Sequence, residues 1–321
     1  MSEVTTYTVR VPQDKARLRL DRALADALPA LSRTRLKALI EAGRVTRDSR
    51  IAVTDPAAKV MGGETFTVAV PAAMPAAPRP QAMPLAVVYE DDDLIVVDKP
   101  AGLVVHPAAG NPEGTLVNAL LAHCGASLSG IGGVMRPGIV HRLDKGTSGL
   151  MVAAKNDAAH RALAAELAER KLERAYKALV WGVPKPRAGK IEGLIGRDRR
   201  QRKKMAVVKS GGKPALTRYR VLMPVGAAAS LVECRLNTGR THQIRVHMAA
   251  IGHPVVGDPV YGGRQGRRWK GQVAALPGGL NHQALHAFLI GFEHPRSHRR
   301  LHFKSSLPFY FNELIDFLEK I

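Results

Sequence analysis

Apolar residues recur along this chain at two spacings. In "TYTVRV", residues 6–11, Tyr7, Val9 and Val11 alternate with polar positions, the period of a half-buried strand, predicted over Thr5 to Val11. The period then changes. Leu20, Leu24 and Leu28 recur every fourth residue in "RLDRALADALP" and stop at Pro29, as one stripe of a short helix would. "SRTRLKALIEAG" follows with Ser32 as its expected N-cap, Leu36, Leu39 and Ile40 turned inward, and Gly43 as its stop. Beyond residue 85 strand-like runs dominate. Leu85–Glu90 and Leu94–Lys99 read as a hairpin around the acidic turn Asp91 to Asp93. Further strands are expected at Gly149–Lys155, Leu172–Val180, Ala215–Leu222 and Ser230–Leu236. Helical stretches are expected at Thr115–His123, Asp157–Arg170, Thr241–Ile251 (with Thr241 as its N-cap) and Pro308–Lys320. Strands outnumber helices and no regular βαβ alternation appears. The expected fold is α+β, with a mixed, mainly antiparallel sheet flanked by helices and loops.

"VPAAMPAAPRPQAMP", residues 70–84, breaks both periods. Its Ala/Pro content reads as a stiff, extended linker. The expected organisation is therefore a small α/β N-terminal module over 1–70, a linker over 71–84 and a large domain over 85–321. The hydrophobic content, 45%, is ample for buried cores in both. No apolar run approaches the roughly 20 residues that span a bilayer, and the start, "MSEVTTYTVRVP", lacks the pattern of a secretion signal. Two cysteines, Cys124 and Cys234, make no disulfide framework and fit a reducing cytoplasm.

Charge adds a partner. The net charge is +21, from 48 Lys+Arg and 27 Asp+Glu, and residues 131–321 hold 34 of the basic residues against 13 acidic ones. A chain this basic calls for a polyanion, and nucleic acid fits better than a membrane, for which no basic amphipathic anchor is present. The densest run is "GRDRRQRKKM", residues 196–205, where Arg197, Arg202, Lys203 and Lys204 are candidate phosphate contacts on an RNA-ordered loop. "GRQGRRWKG" and "RSHRRLHFK" add to the same face, and Arg33, Arg35 and Lys37 crowd the start of the second N-terminal helix.

Against this background one carboxylate stands out. In "GIVHRLDKGTSGLMVAAK", residues 138–155, Asp144 lies between two apolar strand-like runs. Taken alone, "DKGTS" is an ordinary turn. A second stretch, "LNTGRTHQIRVHMAAIGHPVVGD", places Arg245 beside the buried helical stripe Ile244, Met248 and Ile251. A partly buried guanidinium needs an anion and a carboxylate between apolar strands needs a cation, so the two are expected to pair across 101 positions.

"HRLDKGTSGL" followed by "TGRTHQIRVH" resembles the RluA-type family of RNA pseudouridine synthases. Further matches are "VVDKPAGLVVHPAAGN", "RAYKALVWG", "GKPALTRYRVL", "GHPVVGDPVYGG" and "ALHA". "LVVHPAAGNPEGTLVNALL" and "GDPVYGGR" are most similar to the RluD-type branch, which acts on large-subunit ribosomal RNA. Residues 18–66 resemble the α-L RNA-binding module. The resemblance implies that Asp144 is the catalytic aspartate and Arg245 its partner. It further implies that Tyr176 stacks on the target base and assists proton removal from C5, that Arg142 enters the RNA beside the displaced nucleotide, and that Leu285 walls the pocket. The expected partner is large-subunit ribosomal RNA or its assembly precursor, and the enzyme is expected to be a monomer with no metal and no cofactor.

The chemistry fits these residue types. Uridine isomerisation breaks N1–C1′ and forms C5–C1′, with nothing oxidised and no group imported. One carboxylate can begin it, by attacking C1′ or by removing the C2′ proton. A retaining glycosidase would need a second carboxylic acid about 5 Å away, and none lies in a comparable setting; Asp198 sits within a basic run. A metal-dependent nuclease is disfavoured because His242 and His247 stand at i, i+5 and no H-E-x-x-H occurs. A non-catalytic RNA-binding ribosome assembly factor is the alternative that charge alone leaves open.

Overall fold

A computed structural model describes residues 4–320 except 49, 72–77, 109, 131–135, 199–200, 202–203, 269–270 and 272–279. The chain forms two compact units, Met1–Pro75 and Ala76–Ile321.

In the first unit the alternating start becomes β1 (Val4–Arg10), and the two leucine stripes become α1 (Leu20–Ala27) and α2 (Arg33–Glu41). The Ser32 hydroxyl accepts the backbone N–H of Arg35 at 3.2 Å, capping α2. β2 (Val45–Arg47), β3 (Ile51–Ala52) and β4 (Thr65–Pro71) complete an antiparallel sheet of order β1-β4-β2-β3. Leu20, Leu24, Leu36 and Ile40 from the helices meet Val45, Phe66 and Val68 from the sheet in one core. The helices therefore owe their stability to this packing rather than to length.

The second unit is built on a ten-stranded sheet. Its strands are β5 (Val87–Glu90), β6 (Leu94–Lys99), β7 (Ser148–Ala154), β8 (Glu173–Trp181), β9 (Ala188–Arg197), β10 (Met205–Val208), β11 (Lys213–Val225), β12 (Ala229–Leu236), β13 (Leu285–Glu293) and β14 (Arg300–Lys304). The order is β10-β9-β11-β12-β8-β13-β7-β6-β5, with β14 paired to β13. All strand pairs are antiparallel except β13–β7, where His286 and Ala287 pair with Ser148 and Gly149. The α+β expectation holds. β9, β10, β13 and β14 were not foreseen: glycines interrupt β9 and β13, and β10 and β14 are only four and five residues long.

The sheet is covered on both faces, which explains its unbroken apolar runs. On β6, Ile95 and Val97 face one core while Leu94 and Val96 face another. β7 divides likewise, Met151 and Ala153 against Leu150, Val152 and Ala154. α3 (Leu116–Cys124) and the C-terminal helix Phe309–Glu319 pack on the first core, and α4 (Asp157–Ala168) on the second. The parallel junction is unusually close. A Cβ on Gly149, whose φ is +113°, would lie 2.3 Å from the Ala287 carbonyl oxygen, so only glycine fits. That junction brings the loop before β7 beside β13 and β8.

Candidate active site

Asp144 sits in the loop that leads into β7, its carbonyl accepting the Thr147 N–H at 3.0 Å. Three contacts from elsewhere hold this loop. The Gln283 side-chain amide donates to Thr147 Oγ1 at 2.9 Å, and Gly102 N–H and Lys99 Nζ both donate to the Lys145 carbonyl, at 2.8 and 3.3 Å. Lys99 is wholly buried and also donates to the Pro100 and Leu103 carbonyls, at 2.8 and 2.9 Å. Burial pushes its pKa down to about 7, with the Asp144 charge opposing. Three carbonyl acceptors nevertheless match the three N–H donors of an ammonium, so the geometry is that of the charged form.

The expected partner arrives on α5 (Gln243–Ala250). This helix begins one residue later than its expected N-cap would place it. Its N-cap is His242, in the left-handed region at φ 57°, and not Thr241. The turn is fixed by Gln243, whose side chain accepts from Arg240 N–H at 3.0 Å and Thr238 Oγ1 at 2.8 Å and donates to the Leu216 carbonyl at 3.0 Å. It swings the His242 ring to 2.9 Å from the Tyr261 hydroxyl, with Nε2 3.8 Å from Asp144 Oδ1. Arg245 donates from Nη1 to Asp144 Oδ2 at 2.9 Å.

Arg245 has a second carboxylate, which the sequence reading missed. Asp258 receives Nε at 2.7 Å and Nη2 at 3.0 Å, and its Oδ1 also accepts the N–H groups of Val260 and Tyr261. The Asp258 side chain is fully buried and that of Arg245 is 5% exposed. The Tyr261 ring lies 5.1 Å below the guanidinium. Burial alone would lower the Arg245 pKa, but hydrogen bonds and charge from Asp258, then from Asp144, hold it above its ordinary value. A guanidinium carries five donors, so a second acceptor for Arg245 was foreseeable; its place, 13 residues on in "VVGDP", was not.

Asp144, Arg245, Tyr176, Arg142 and Leu285 all line one cavity of about 520 Å³. Asp144 is the sole carboxylate among its described lining residues. Tyr176 projects from β8 and is 5% exposed; burial raises its phenol pKa, with Arg174 opposing and Asp144 adding. Leu285, at the start of β13, forms apolar wall. Arg142 is exposed at the rim, its Nη1 3.2 Å from His106 Nε2. His141, also lining the cavity, accepts the Val152 N–H through Nε2, so its proton sits on Nδ1; burial drives its pKa down to about 3.

The other predicted contacts are dispersed. Arg197 ends β9 and is exposed, Lys204 precedes β10, and Arg202 and Lys203 lie outside the described residues. In the first unit Arg33 donates to the buried Asp21 at 3.0 Å, beside Arg19, and Lys37 sits 3.6 Å from Glu41, while Arg35 is exposed. The run 296–304 is partly structural. Arg296 binds Asp93 at 2.8 Å, and Arg300 binds Glu173 and Glu166 at 3.0 and 3.3 Å. Asp91, Asp93 and His294 bring three potential metal donors within 4.8 Å. Tyr89, Asn156, Arg296 and two backbone N–H groups already bond to these carboxylates as the hairpin turns.

The sequence profile described as RNA pseudouridylate synthase matches residues 93–250. A ribosomal large subunit pseudouridine synthase D of Zymomonas mobilis is 50% identical over 305 residues, 94% of each chain. An RNA pseudouridine synthase of Bacillus subtilis is 44% identical, over 94% of each chain. Among solved structures, human RNA pseudouridylate synthase domain containing 1 superposes with a TM-score of 0.53 at 28% identity, covering 74% of this chain and 96% of its own. With such identity extending through the strands, loops and helix that assemble the cavity, this chain belongs to the RNA pseudouridine synthase family and is an isomerase.

Proposed function

We propose that this pseudouridine synthase acts on uridines of large-subunit ribosomal RNA, in the cytoplasm and as a monomer, with Asp144 as its catalytic carboxylate. One observation carries the reading of the site: a single carboxylate lines the cavity among the described residues, and a clamped guanidinium aims it. The choice of RNA rests on the names of relatives such as those of Zymomonas mobilis and Vibrio vulnificus, both ribosomal large subunit pseudouridine synthase D. The net charge of +21 suits that substrate.

The target uridine is displaced from its RNA stack, at a cost of a few kcal/mol, and enters the cavity with Tyr176 against its base and Leu285 behind. Asp144 reacts at the ribose, at C1′ or at the C2′ proton, and uracil leaves with the N1–C1′ electron pair. The base turns and C5 bonds to C1′ as the Asp144–C1′ bond breaks or, on the other route, as the proton returns from Asp144 to C2′; the C5 proton is then lost and N1 takes up a proton. Atoms and electrons balance within the nucleotide, so no cofactor or metal is required by stoichiometry. Arg142 fills the space left in the RNA. The first unit is assigned to RNA binding through the start of α2, with Arg35 the most available cation there and Arg33 shared with Asp21. Residues 71–84 are assigned as its linker; 72–77 lie outside the described residues, and Arg79 and Gln81 hydrogen-bond to Asn118 and Gly114 of the second unit. Arg197, Arg202, Lys203 and Lys204 are assigned to phosphate contacts.

The test is release of tritium from C5-labelled large-subunit ribosomal RNA purified from cells lacking this gene. Wild type releases tritium; Asp144→Asn releases none and still binds the RNA. No release by wild type removes the substrate assignment, and turnover by Asp144→Asn removes the catalytic one.

A further inference from the structure

Four arginines, Arg142, Arg170, Arg174 and Arg240, line the cavity beside Arg245. The only carboxylate facing them among the described lining residues is Asp144, already engaged by Arg245. Arg240 donates from Nε to the Pro214 carbonyl, and Arg142 lies against His106. Arg174 is different. It is half-buried, its Nε is sealed from solvent without a hydrogen-bond partner, and no ion pair reaches its guanidinium among the described residues. An unpaired cation at such depth is costly, so its position makes physical sense only when an anion arrives.

Its placement is built. Arg174 precedes Tyr176 by two residues on β8, so both side chains leave the same face, roughly 7 Å apart along the strand. Gly239 opposes it. A Cβ there would come within 2.7 Å of Arg174 Nη1, so the bare backbone leaves room for the guanidinium. Arg170, just after α4 with φ 63°, adds a second cation that has no ion-pair partner among the described residues. Arg174 also opposes the upward shift of Tyr176 and adds to the downward shift of His141, so its charge is felt across the cavity.

We propose that Arg174, supported by Arg170, binds a backbone phosphate flanking the target uridine and thereby seats that nucleotide against Tyr176. The inference rests on the function proposed above. A planar guanidinium fork matches two phosphate oxygens, and each nucleotide of the polyanion brings such a group on either side of its base.

The test crosses protein and substrate changes. Synthetic RNA hairpins spanning a uridine that wild type converts would carry a neutral methylphosphonate at the 5′ or the 3′ flanking phosphate. Single-turnover conversion is measured for wild type, Arg174→Gln and Arg174→Lys, with melting temperature as the control for folding. On unmodified RNA, Arg174→Gln is expected to lose about 10- to 100-fold, the scale of a charge-assisted hydrogen bond, and Arg174→Lys to recover part of it. On one of the two methylphosphonate hairpins, wild type should fall to the level of Arg174→Gln, and the mutation should cost nothing further. Independent, multiplying losses on both hairpins would overturn the proposal and move Arg174 to the base; so would an Arg174→Gln enzyme as fast as wild type. Failure of wild type to convert any such hairpin would instead count against the function proposed above. If Arg174→Gln does not fold, Gly239→Ala, which displaces the guanidinium and keeps its charge, is expected to show the same loss on unmodified RNA and the same insensitivity on one hairpin.

Discussion

Asp258 holds Arg245 through two hydrogen bonds, 2.7 Å to Nε and 3.0 Å to Nη2, leaving only Nη1 to reach Asp144. The cation paired with Asp144 is thus itself held by another carboxylate, one that does not line the cavity. Removing one partner of a buried, hydrogen-bonded pair strands the other, at a cost of about 3–5 kcal/mol. Asp258→Ala is therefore expected to lower stability by that order in denaturant titration. It should also slow turnover, because a freed guanidinium no longer points Nη1 at Asp144. Asp258→Asn, which keeps the shape, should fall between. An Asp258→Ala enzyme of wild-type stability and rate would contradict the clamp.

Lys99 ties the Asp144 loop to its surroundings through the Lys145 carbonyl while bonding two other carbonyls. Lys99→Met fills the space but leaves buried acceptors unmet, each costing about 1–3 kcal/mol. Amide exchange is expected to quicken across residues 143–147, and turnover to drop at least about tenfold as Asp144 loses its fixed position. Unchanged exchange in that loop would show that the ammonium does not hold it.

Tyr176 tests what an aromatic ring on β8 contributes. Its buried phenol is raised above its ordinary pKa and stays protonated at neutral pH, so the ring offers a neutral surface to the base proposed to stack on it. Tyr176→Phe is expected to bind the target hairpin as wild type does. Tyr176→Leu should lose about 1–3 kcal/mol, the value of one base–aromatic stack, read as weaker binding and slower single turnover. Equal binding by Leu and Phe variants would remove stacking from the account.

Two buried histidines set an acid limit on stability. Burial lowers His247 from 6.5 to about 4 and His141 to about 3. Between those values and 6.5 the unfolded chain carries protons that the folded chain does not, so stability must fall as pH falls through this window. Above 6.5 neither group contributes a slope. His247 hydrogen-bonds Thr217 through Nδ1, which Asn can imitate without titrating. His247→Asn is expected to reduce the acid-side slope by up to about 1.4 kcal/mol per pH unit. A slope identical to wild type between pH 6 and 4 would show that His247 takes up protons freely when folded.

Much of this was legible in the amino-acid sequence, and for definite reasons. Leu20, Leu24 and Leu28 mark a helix because they repeat at its period, and the short continuous apolar run Leu94–Val97 beside the acidic turn marks a strand, which the fold buries on both faces. Asp144 and Arg245 could be matched across 101 positions because each carries a charge in an apolar setting and so demands the other. Tertiary structure alone decided what has no local signature. Asp258 is a loop carboxylate until the fold seals it against Arg245. Arg296 and Arg300 belong to a basic run until the β13–β14 hairpin sets them against Asp93, Glu166 and Glu173. Thr241 is the better N-cap by residue type, yet Gln243 bonds to residues 216 and 238, and His242 is drawn to Tyr261, moving the N-cap one residue on. Local periodicity is a property of the chain near each residue. The partner of a buried charge is set by whatever the closed fold brings within 3 Å of it.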